Sequence, residues 1–131
     1  MKKPWVILLT IAILSLFGCN DGNFYEYKGE NQDWTAELRL KQLDGEVKKE
    51  FILVYKGEAE ELSSVKEISY RYETPTFNSG KTTQEYLTDG PRDKVFKKTS
   101  KEEGKLFAEE DDVITVEVEV DGVKEIFKLK N

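Results

Sequence analysis

From Trp34 the chain alternates. Trp34, Ala36, Leu38 and Leu40 are apolar, and Thr35, Glu37, Arg39 and Lys41 between and after them are polar. Successive side chains of a strand point to opposite faces, so this period predicts a half-buried β-strand. Asp44-Gly45 ends it, a dipeptide favoured in type I′ hairpins, where both central residues take positive φ. Folding there sets Trp34 opposite Tyr55, Ala36 opposite Leu53 and Leu38 opposite Phe51 on one face, with Arg39 opposite Glu50 on the other. A single register serves the apolar and the charged pairs together. Lys41 opposite Lys48 is a small like-charge penalty. Ile52 and Val54 fall on the second face, which predicts a strand that is central or partly covered there.

The C-terminal pattern is stronger. Ile114, Val116, Val118 and Val120 alternate with Thr115, Glu117 and Glu119, Asp121-Gly122 supplies a second two-residue turn, and the return strand is 123–130. Val120 then faces Val123, Val116 faces Phe127, Ile114 faces Leu129, and Glu119 meets Lys124 on the solvent side. Glu125, opposite Val118, is the one misfit on the apolar face, as suits an open end.

Between the hairpins, Gly57 to Ser64 predicts a loop or one helical turn. Val65 to Glu73 predicts a strand with Ile68, Tyr70 and Tyr72 inward. Pro75 cannot donate to a ladder and ends it. Lys81 to Leu87 and Val95 to Thr99 predict two further strands, Lys101 to Gly104 a charged turn, and Leu106 to Asp112 has no period. About seven strands without a helix predict an all-β, antiparallel, immunoglobulin-like sandwich over 34–131. The opening and closing hairpins suit its A–B and F–G pairs. With no disulfide possible from one cysteine, Trp34 and the tyrosines must fill the core.

The N-terminus follows another rule. Lys2 and Lys3 precede an apolar run from Val6 to Phe17 interrupted only by Thr10 and Ser15, and the chain turns polar at Asn20. This is the plan of a secretory signal peptide, too short for the ~20 apolar residues of a spanning helix. Leu16-Phe17-Gly18-Cys19 resembles the lipobox of bacterial lipoproteins, and Cys19 is the sole cysteine. The resemblance implies diacylglycerol on the Cys19 thiol, cleavage between Gly18 and Cys19, and an anchor on the extracytoplasmic face of the cell membrane. Residues 1–18 are then the signal peptide and 19–33 a lipidated tether. Phe24, Tyr25 and Tyr27 are unusual in a tether. They predict a short edge strand or a segment packed on the domain, or else an aromatic contact with headgroups or a partner.

The strand and turn motifs Gly29-Glu30-Asn31-Gln32-Asp33-Trp34, Val54-Tyr55-Lys56-Gly57, Ile68-Ser69-Tyr70 and Asp111-Asp112-Val113-Ile114-Thr115-Val116, with the tail Phe127-Lys128-Leu129-Lys130, carry a second resemblance. In them the chain is similar to small immunoglobulin-like lipoproteins of Bacillus-type Gram-positive bacteria. That resemblance implies location and fold; it brings no catalytic residues.

Charge and composition narrow the function. The chain has 20 basic and 26 acidic side chains; loss of Lys2 and Lys3 with the signal leaves 18 against 26, a net charge of −8. Such a surface repels nucleic acid and disfavours lying flat on anionic lipid, except where basic patches occur locally. Histidine is absent, which removes Ser-His and Cys-His nucleophile pairs and the usual zinc and copper ligand sets. Glu109, Glu110, Asp111 and Asp112 are the weak candidates for a hard cation, without the loop spacing of a calcium motif. Glu58, Glu60 and Glu61 join them only if the two loops share one end of the sandwich. Tyr25, Tyr27, Tyr70, Tyr72 and Tyr86 are candidates for a carbohydrate or peptide surface, or for core. No carboxylate pair stands out for hydrolysis. The expectation is a membrane-anchored, cofactor-free binding module for a protein or envelope component, not an enzyme, with a carboxylate-dependent envelope hydrolase or a structural spacer as alternatives.

Overall fold

A computed structural model describes residues 24–75, 82–86 and 90–131. Among the described residues there are eight strands: β1 (Phe24–Glu30), β2 (Trp34–Gln42), β3 (Glu46–Tyr55), β4 (Glu67–Glu73), β5 (Thr82–Glu85), β6 (Val95–Glu103), β7 (Ile114–Val120) and β8 (Val123–Leu129). One sheet has the order β1-β2-β3-β6 and the other β5-β4-β7-β8, with every neighbouring pair antiparallel. The protein is an all-β sandwich. Its β2–β3 hairpin crosses to β4, β6 returns beside β3, and β7 lies beside β4 before the β7–β8 hairpin. The two hairpins thus lie in different sheets.

Both hairpins have the register that side-chain alternation predicts. Trp34 faces Tyr55 and Leu38 faces Phe51; Ile114 faces Leu129 and Val120 faces Val123. The turns differ. Asp121 and Gly122 both take positive φ, 47° and 87°, as a type I′ turn requires. At Asp44-Gly45 only Gly45 does, at 76°, so this turn is not type I′. The register survives because the backbone still closes with Leu43 N–H on the Glu46 carbonyl at 2.7 Å.

Two segments extend beyond the sequence reading. Residues 24–30 form the predicted edge strand against β2, but it is a full strand of the sandwich rather than part of a tether outside it, and it sends Tyr27 into the core. Lys101 to Glu103 continue β6 opposite Glu46 to Lys48 instead of turning. Backbone pairing to β3 carries the strand on, and an edge position tolerates charged side chains throughout. Residues 59–62 are a single 3-10 turn, the one helical turn expected within 57–64.

The sheets are joined by aromatic contacts. Phe51 lies with ring centroids 5.9 Å from Tyr70 and 5.0 Å from Tyr72, and Phe96 6.1 Å from Tyr70; within the first sheet Phe96 is also 6.1 Å from Trp34. Aromatic pairs at such separations add to the transfer energy of the buried rings. Along one side the sheets are also tied by backbone: Lys28 and Lys130 exchange hydrogen bonds of 2.8 and 2.9 Å, capping the β1 and β8 edges. Gly29 is required at this seam, because a Cβ there would run into the Lys128 carbonyl.

Candidate functional site

Gly18 and Cys19 lie outside the described residues. The tyrosines are mostly core: Tyr27, Tyr70 and Tyr72 are buried, while Tyr25 and Tyr86 are half-buried against them. They do not form an exposed binding strip.

The acidic stretch 109–112 follows β6 and leads into β7. Gln42 fixes the start of this connection, accepting from Leu106 N–H at 2.6 Å and donating to the Gly104 carbonyl at 3.1 Å. Tyr27 fixes its middle: the phenol donates to the Glu109 carbonyl at 2.6 Å. Burial raises the Tyr27 pKa to about 12, helped by the nearby Asp112 carboxylate. Carboxylate oxygens of Glu109, Asp111 and Asp112 come within 4.8 Å of one another, and Glu110 does not join them. Asp112 is partly engaged already, accepting from Glu109 N–H at 2.9 Å. The group is open to solvent and can hold a hard cation only loosely.

Glu58, Glu60 and Glu61 stand elsewhere. Their 3-10 turn follows β3 beyond Tyr55, the partner of Trp34, whereas the 109–112 connection leaves β6 opposite Glu46. These are opposite ends of the sheet, so the two acidic loops cannot share an ion. Glu61 is used locally. It accepts from Glu58 N–H at 3.0 Å and from the Tyr55 hydroxyl at 2.9 Å, and these bonds lower its pKa.

A cluster that composition does not single out lies at the β1–β2 turn. Asn31 Oδ1 accepts from Asp33 N–H and Trp34 N–H at 3.0 and 2.8 Å. Its Nδ2 donates to Glu125 Oε1, and Trp34 Nε1 donates to Glu125 Oε2, both at 3.1 Å. Glu125, the misfit on the apolar face of β8, is thus the acceptor for the buried indole. Burial raises its pKa, and the neighbouring Asp33 carboxyl raises it further. The signal in the sequence was the misfit itself; its partner stands 91 residues away.

The outer face of the first sheet is a charged lattice. Arg39 is surrounded by Glu37 at 2.9 Å, Glu50 at 3.2 Å and Glu26 at 3.5 Å, and Glu26 also holds Lys28 at 2.8 Å. A depression of about 430 Å³ lies beside this lattice, lined in part by Thr35, Ile52 and Val54. No helix among the described residues is long and apolar enough to cross a membrane. Comparison with protein-family models, curated proteins and solved structures gives no match.

Proposed function

We propose that the chain is a bacterial lipoprotein, held at the extracytoplasmic face of the cell membrane by diacylglycerol on Cys19, whose sandwich is a non-catalytic binding module for an envelope component or a protein. The observation that carries this reading is Leu16-Phe17-Gly18-Cys19 at the end of an apolar run, with the first strand beginning at Phe24. A folded domain starting this soon after the cysteine suits a short tether. The module's contacts are the loops at either end or, by strand addition, the outer edge of β6, the terminal strand of its sheet among the described residues.

The hydrolase alternative has one observation on its side, the juxtaposed Asp33 and Glu125 carboxyls. Both Glu125 oxygens, however, already accept from protein donors, which suits holding the β1–β2 turn onto β8 better than proton transfer to a substrate. Fractionation of a Cys19→Ala variant tests the anchor: the protein is expected in the medium or as unprocessed precursor, and an unchanged membrane fraction refutes it. Crosslinking on intact cells tests the binding role; recovery of no partner favours a spacer.

A further inference from the structure

We infer that the end of the first sheet carrying Phe24, Lys41, Lys48 and Lys101 faces the anionic headgroups of the bilayer to which Cys19 is fastened. The inference deepens the proposed anchoring and rests on it. These four residues form one row across all four strands: Phe24 pairs with Lys41, Lys41 with Lys48, and Lys48 with Lys101. Side chains in such a row stand side by side on one face, and like charges placed so repel.

The rest of that face is neutralised internally by the carboxylates around Arg39, and by Glu50 against Lys97 at 3.6 Å. The row is not. Among the described residues no carboxylate lies within ion-pair distance of Lys41 or Lys48, and Lys101 has only Glu46 at 3.9 Å. The nearby Glu102 belongs to the inner face, where it binds Lys49 at 2.7 Å. Asp44 and the paired Glu46 and Glu103 lie between the row and the tip of the sheet, and the acidic 109–112 connection follows β6 at the same end, so the basic strip is narrow and bounded by carboxylates. Phe24 heads it with 51% of its surface exposed, an aromatic suited to the headgroup region.

Chain length selects the occupant. Phe24 follows Cys19 by five residues, and five extended residues span at most about 18 Å. The row therefore stays close to the bilayer surface, where anionic lipid supplies a counter-charge to Lys41 and Lys48. The opposite end, with Lys66 and Lys124, points away.

The test uses the lipidated mature protein in phosphatidylglycerol vesicles and, separately, in phosphatidylcholine vesicles. Flotation reads the anchor. Acylation of lysine amines followed by mass spectrometry reads the facing surface. On phosphatidylglycerol, labelling of Lys41, Lys48 and Lys101 is expected to fall several-fold relative to phosphatidylcholine, with Lys66 and Lys124 unchanged and the protection removed by high salt. Floating protein labelled equally on both lipids, or protected instead at Lys66 and Lys124, overturns the orientation while leaving the anchor intact. Protein that fails to float overturns the anchor, and the orientation falls with it.

Discussion

The indole of Trp34 donates to the carboxylate of Glu125 at 3.1 Å, across the seam where β2 of one sheet meets β8 of the other. Trp34 is only 1% exposed, so its N–H has little access to water and depends on this acceptor. Glu125→Ala leaves the donor buried and unpaired, which typically costs about 1–3 kcal/mol. Urea denaturation of the variant measures the loss.

The pH dependence of that pair has a definite sign. Glu125 has a raised folded-state pKa, through burial first and Asp33 second, so the native state takes up its proton more readily than the unfolded chain. This group's contribution falls as pH rises from the unfolded carboxylate value through the folded one. Glu125→Gln carries no charge to lose. Relative to wild type, its stability should therefore improve between pH 4 and pH 7, as urea midpoints at the two pH values will show. Glu117 runs the opposite way. Hydrogen bonds from Lys124 and then Arg71 lower its pKa, and its contribution is lost as pH falls below the ordinary carboxylate range.

Tyr27→Phe keeps the buried ring and deletes the hydroxyl that holds the Glu109 carbonyl. The expected global loss is about 1 kcal/mol. Amide exchange over residues 106–113 should rise well beyond that in the rest of the chain, because the loop loses its link to β1.

Asp121 takes a positive φ of 47°, and its Oδ1 accepts from the backbone N–H groups of Lys66 and Glu67, both at 2.9 Å. The β7–β8 turn thereby fixes the start of β4. Asp121→Ala loses both bonds and tolerates the left-handed conformation poorly, an expected cost of about 2 kcal/mol. Asp121→Asn retains an oxygen acceptor and that tolerance, and should recover most of the difference in a thermal melt.

Gly29→Ala forces a methyl group into the Lys128 carbonyl and within 2.9 Å of Leu129 Cδ2. The β1–β8 seam must open, at about 2 kcal/mol. Exchange of the Lys28 and Lys130 amides, which bond each other's carbonyls, should accelerate first.

Sequence by itself determined the sheet: alternation fixed which residues of β2, β3, β7 and β8 face inward, and Asp-Gly pairs set both hairpin registers, because these are neighbour relations within a few residues. It left β1 half-read, since Phe24, Tyr25 and Tyr27 lack clean alternation and the strand exists only against β2. The row of three lysines was visible as a single like-charge pair, Lys41 and Lys48, until β6 extended far enough to add Lys101. Glu125 appeared as an error in the pattern because its partners, Asn31 and Trp34, come from the other sheet. Only tertiary structure decided these points. They depend on which sheet edges meet and on burial that raises the need for a partner, and neither quantity is local in the chain.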